Sequence, residues 1–219
     1  MIGIRKNMYK GDYVMAQYLA LPLNNCTVTC CYKKEAPNYY LLRAGSVHYG
    51  VDFIGYSSTK NEREFFASGN GVVLGIGTNS KETVGKWVAV KYTNVCGYGD
   101  LIVRYFHLEK ITVAKGQAVN IHTKIGRYGD TGPYVKPGSY HLHVEVDTDV
   151  QYWNYTPTIA SASGGLRAGT RDTTKSSDRT TRNPLDVLRR KISDPEKQSC
   201  TIQYNANYCK RIALPLTFQ

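Results

Sequence analysis

Polar and apolar positions alternate without a break from His141 to Asp147, through His141-Leu142-His143-Val144-Glu145-Val146-Asp147. A period of two belongs to a half-buried β-strand, with Leu142, Val144 and Val146 facing the core and His141 and His143 projecting together from the other face. Val47–Phe53 repeats the pattern: Val47, Tyr49, Val51 and Phe53 fall on one side, His48 and Asp52 on the other. A helix would also align His48 with Asp52. Gly50 between them, however, costs a helix about 1 kcal/mol relative to alanine, and the β-branched and aromatic neighbours favour extended chain.

Strand-like runs recur at Leu21–Cys31, Val47–Ile54, Gly71–Ile76, Lys86–Tyr92, Leu101–Leu108 and His141–Val150. Turn signals separate them at Ser68-Gly69-Asn70-Gly71, Gly97-Tyr98-Gly99-Asp100 and Gly129-Asp130-Thr131-Gly132. Hairpin-scale spacing predicts a mainly β fold with an antiparallel β-sheet core. One short helix is expected late in the chain, with Asn183 as N-cap, Pro184 at its first position, and Leu185, Leu188 and Ile192 on one face. The run Ser161–Arg182, rich in Ser, Thr, Gly, Arg and Asp, reads as a mobile loop. These patterns divide the chain into an N-terminal extension (1–20), a main domain (21–193) and a short cysteine-containing tail (194–219).

Composition sets limits. A chain of 219 residues suffices for one sizeable core. No apolar run approaches 18 residues, so no membrane span is expected. Lys10, Asp12 and Gln17 interrupt the amino-terminal segment, which argues against a secretory signal. The net charge of +11 favours encounter with polyanions. Nucleic acid is not indicated, because no recognition-helix, zinc-finger or RNP-like pattern appears. The six cysteines are Cys26, Cys30, Cys31, Cys96, Cys200 and Cys209. Cys200 and Cys209 bracket a short segment and form the favoured pair, although a reducing compartment would leave all six as thiols. No C-x₂-C pair supports a second, structural zinc.

The histidines carry the chemistry. Four of the five fall in three short blocks, with His48 and Asp52 in the first, His107 in Tyr105-Phe106-His107-Leu108, and His141 and His143 in the third. Zinc takes imidazole nitrogen and carboxylate oxygen, and a catalytic zinc keeps three protein ligands and an open position for water. Two histidines and one carboxylate meet that count, and the remaining histidines can exchange protons near neutral pH. His122, in an expected surface turn, is read as a solvated loop residue.

These blocks, together with Ala67–Val73, Trp87–Val90, Val113–Gln117 and Ile125–Gly132, occur in the order and approximate spacing of a known family. From about Leu21 to Leu188 the chain resembles the lysostaphin-like (LytM-type) zinc metallopeptidases of bacterial cell walls. The resemblance implies one zinc ion held by His48, Asp52 and His143, with His141 and His107 as unliganded catalytic histidines. It also implies hydrolysis of amide bonds in peptidoglycan stem peptides or cross-bridges, with anionic wall polymers as further partners. Without a visible export signal, a phage lysin or virion-associated enzyme is the expected setting. The departures are a long Tyr134–Tyr140 stretch before His141 and a tail after Ile192 without counterpart. The bond cut, the division of roles between His107 and His141, and the oligomeric state are left open. An amidase of the same fold and a wall-binding module remain the alternatives.

Overall fold

The structure is a computed structural model that describes residues 15–36, 47–56, 62–156, 167–168, 180–193 and 197–218. Most of the segment expected as a mobile loop (161–182) lies outside the described residues. The strands are β1 (Leu19–Ala20), β2 (Asn25–Cys30), β3 (Val51–Gly55), β4 (Glu64–Phe66), β5 (Gly71–Gly77), β6 (Lys86–Val95), β7 (Gly99–Ile111) and β8 (Ala118–Val119). They continue as β9 (Lys124–Tyr128), β10 (Leu142–Asp147), β11 (Tyr155–Thr156), β12 (Arg167–Ala168) and β13 (Thr181–Arg182). A single-turn helix α1 (Pro184–Val187) precedes β14 (Leu188–Lys191), β15 (Ser199–Ile202) and β16 (Thr217–Phe218). The main sheet runs β15-β2-β3-β10-β7-β6-β5-β8, with β9 joined to β7, β4 joined to β9 and β13 joined to β10. The fold is mainly β, as expected.

Its centre is buried on both faces. Val88, Val90 and Tyr92 of β6, Leu101, Val103 and Tyr105 of β7, and Leu142, Val144 and Val146 of β10 belong to one apolar cluster. The alternate residues Trp87, Ala89, Ile102 and Phe106 form a second cluster on the opposite face. On that second face β10 breaks the apolar pattern by carrying His143, Glu145 and Asp147, all buried. The register fixes their neighbours: His143 lies opposite Asp52 of β3, and on its other side opposite Phe106 of β7. Glu145 lies opposite Arg104 in the same ladder. Because the side-chain period is two, a slip of one residue would move this whole polar row to the other face.

Three expectations change. First, β3 begins at Val51, so His48 sits in the non-strand segment just before it and not on a strand with Asp52. Second, Asn183 does cap the helix, its side chain accepting from the Leu185 backbone N–H at 3.0 Å, but the helix ends after one turn. Leu188 opens β14, which pairs in parallel with β1 and β16, and Ile192 is exposed beyond it. Tertiary pairing overrides the local helical pattern.

Third, the disulfide joins Cys31 to Cys209 rather than Cys200 to Cys209. The tail adds β15 to the sheet edge in parallel with β2, which places Cys200 in register with Cys26 and away from Cys209. Cys209 then comes back against Cys31, whose N–H donates to the Tyr208 carbonyl at 2.9 Å. The bridge spans 178 residues of sequence. Such a pairing has no local signature. Cys26, Cys30, Cys96 and Cys200 are thiols.

Candidate metal centre

All five residues singled out as ligands or proton handlers converge on one end of β10. Asp52 and His143 meet across the β3–β10 ladder, with His143 Nδ1 at 2.8 Å from Asp52 Oδ1. His48 reaches in from the segment before β3, and its Nε2 stands 3.1 Å from Asp52 Oδ1 and 3.1 Å from His143 Nδ1. Two imidazole nitrogens and a carboxylate oxygen thus point at one spot. Donors bonded to a tetrahedral zinc at roughly 2.0–2.2 Å stand about 3.3–3.6 Å from one another. The donors need to open by about 0.2–0.8 Å, within reach of side-chain rotation, so the set fits the ion.

Each ring is oriented by what its second nitrogen touches. A carbonyl oxygen only accepts, so a ring nitrogen facing one must carry the proton. His48 Nδ1–H donates to the Cys31 carbonyl at 2.7 Å, which leaves Nε2 as the ring nitrogen on the Asp52 side. His107 Nδ1–H donates to the Thr131 carbonyl at 2.9 Å, and His141 Nδ1–H to the Ser139 carbonyl at 2.8 Å. For both of these histidines Nε2 is therefore the proton acceptor. Their rings are neighbours, with centroids 4.7 Å apart, and the His107 ring lies 6.0 Å from that of His143. Cys30 Sγ also lies near His48, at 3.4 Å from Nδ1. Cys30, His48 and Asp52 form a geometric donor group. We favour His143 over Cys30 as the third donor, because His48 shows Cys30 its Nδ1 edge while Asp52 and His143 share the Nε2 edge.

The backbone contributes as well. His107 has a positive φ of 63°, a left-handed conformation that costs a non-glycine residue on the order of 1 kcal/mol. Two hydrogen bonds hold it there: its N–H donates to the Val84 carbonyl at 3.1 Å, and its carbonyl accepts from Gly129 at 2.8 Å. The β7–β9 register also shifts between Leu108 and Lys110. The result departs from regular strand geometry at a β7 residue whose ring adjoins that of His141.

Electrostatics separates the histidines. Burial opposes charge on His48 and His143, but the Asp52 carboxylate reverses this and lifts them to about 10 and about 9. Burial alone would raise Asp52, yet the facing histidines hold it well below the usual carboxylate range. In the metal-free protein both imidazoles accordingly hold a proton beside Asp52 at neutral pH. His107 goes the other way, pushed well below 6.5 by burial and then by the neighbouring His141 and His143. It is neutral at pH 7.

Gly50 was read in the sequence only as an argument against a helix. A Cβ there would stand 2.5 Å from His143 Nε2 and 2.5 Å from the Val144 carbonyl oxygen. Gly50→Ala is therefore expected to displace the His143 ring from Asp52, cost about 1–3 kcal/mol of stability by overpacking and weaken zinc binding. Thermal unfolding and zinc content of the purified variant check this, and unchanged zinc content would contradict it. The carbonyls of Cys31, Thr131 and Ser139 were invisible as well, because backbone acceptors leave no trace in residue type. His122 is exposed in a turn, as expected.

The sheet thus brings two histidines and an aspartate around one position, with two further histidines beside it. The sequence matches the model of Peptidase family M23 over residues 46–155, and the chain belongs to that family. Zinc is the cofactor that goes with this membership. An uncharacterized metalloprotease of Buchnera aphidicola is 33% identical over 117 residues, covering 52% of this chain and 27% of that protein. The peptidoglycan DD-endopeptidase ShyA of Vibrio cholerae is 35% identical over 99 residues, covering 45% of this chain and 20% of that protein. The chain thus spans about a quarter or less of the length of these relatives. Among solved structures, that of the SpoIIQ–SpoIIIAH pore-forming complex aligns with a TM-score of 0.50 at 19% identity, covering 80% of this chain and 92% of that one. That likeness shows the fold alone.

Proposed function

We propose that the chain is a zinc metalloendopeptidase that hydrolyses amide bonds in peptidoglycan stem peptides or cross-bridges. The observation that carries this reading is the convergence of His48, Asp52 and His143 on one position, with His107 and His141 beside it. His48, Asp52 and His143 would hold the ion. When bound, zinc polarises the scissile carbonyl and lowers the pKa of water toward 7. His141 and His107 each present an Nε2 lone pair, fixed by an Nδ1–H bond to a backbone carbonyl. One of them takes the proton of the attacking water, and one returns a proton to the leaving amine. A neutral His107 is ready to accept first and to donate only after that transfer. The family match and the wall-endopeptidase relative support peptidoglycan as substrate. We place the enzyme in a lytic setting, as a phage lysin or virion-associated hydrolase, and the net charge of +11 supports attack on anionic walls.

Digestion of purified walls with different cross-bridges tests this, with fragments identified by mass. The expected products carry new amino groups from cleaved stem peptides or bridges. Release of intact stem peptides from the glycan would make the enzyme an amidase, and no release at all would make the domain a binder.

A further inference from the structure

Behind the ligand histidine lies a carboxylate that the mechanism above does not use. Glu145 is wholly buried, and its Oε1 stands 3.6 Å from His143 Nε2, the ring nitrogen turned away from Asp52. Arg104 and Thr156 hold it. Arg104, opposite in the β7–β10 ladder, places Nη1 3.6 Å from Oε2. Thr156 of β11 directs its hydroxyl at both oxygens, at 2.7 and 2.6 Å. Arg104 is itself fixed by the carbonyls of Trp153 at 2.9 Å and Tyr152 at 3.3 Å. Phe106 stacks on the His143 ring with centroids 5.5 Å apart and planes 17° from parallel, which leaves rotation within the plane to be set by the two nitrogens.

We propose that Glu145 is a positioning residue of the metal centre, holding His143 by Nε2 so that Nδ1 is directed at the ion. This rests on the reading of His143 as a ligand. A ligating imidazole whose second N–H meets a carboxylate is fixed in tautomer and angle, and its ligating nitrogen becomes more basic. The alternative is that Glu145 only neutralises Arg104. Asp147 separates the two cases. It is equally buried and pairs with the same guanidinium at 3.4 Å, but sits two residues further along the strand from His143.

The test compares zinc dissociation constants of the full chain, measured by competition with a chromophoric chelator, for wild type, Glu145→Gln and Asp147→Asn. Thermal unfolding of each metal-free protein is followed in parallel. The expected result is zinc binding about 10–100-fold weaker in Glu145→Gln, with Asp147→Asn close to wild type even where both lose thermal stability. Equal weakening in the two variants, or wild-type affinity in Glu145→Gln, overturns the proposal. Should Glu145→Gln not fold, Glu145→Asp keeps the charge beside Arg104 while withdrawing it from Nε2, and wild-type affinity there overturns the proposal equally. Failure of the wild type itself to bind zinc would instead strike the ligand assignment, so the two failures read differently.

Discussion

His143→Ala is expected to empty the metal centre and abolish hydrolysis in one step. The substitution removes one of the three proposed ligands and leaves Asp52 and His48 as the other two. A catalytic zinc needs three protein ligands, and two do not retain it through purification. It also strips the buried Glu145 carboxylate of its imidazole neighbour, leaving Arg104 and Thr156 among the groups that compensate it. Metal analysis should fall from about one zinc per chain to near zero, and wall turbidity should stay at the no-enzyme rate. A His143→Ala protein that keeps its zinc would remove this residue from the ligand set.

His141→Ala should behave differently, keeping zinc and losing turnover. His141 precedes β10, joined to Gly129 through an isolated bridge, and its Nδ1–H is committed to Ser139. Nothing places it among the three converging donors, while its ring adjoins His107. A positioned proton-transfer group contributes about 10²–10⁴-fold, so kcat should drop by that factor at unchanged zinc content. Near wild-type cleavage by His141→Ala would show that the proton passes elsewhere. The contrast between the two variants matters more than either alone, because residues two apart in the sequence would lose different things.

Much of the site was legible because it is written in period two. The alternation from His141 to Asp147 placed Leu142, Val144 and Val146 in the core, and all three are there. The same alternation puts Glu145 beside His143, a signal available in the sequence and not taken up. His48 was harder. Its four-residue spacing from Asp52 suggested one continuous strand, yet a bend at Gly50 brings the ring in from outside β3. What could not be read comes from contacts without local pattern. The Cys31–Cys209 bridge depends on the tail adding a strand beside β2. The helix after Asn183 stops early because β1 and β16 claim Leu188–Lys191 as a strand. The carbonyls that set three tautomers belong to Cys31, Ser139 and Thr131, whose side chains say nothing of that role.

The central claim is that His48, Asp52 and His143 share one ion. A crystal grown with zinc, with diffraction recorded on both sides of the zinc absorption edge, tests it most directly. The account predicts a single anomalous peak within bonding distance of His48 Nε2, an Asp52 carboxylate oxygen and His143 Nδ1. A peak bonded instead through Cys30, or no peak among these three side chains, would contradict it.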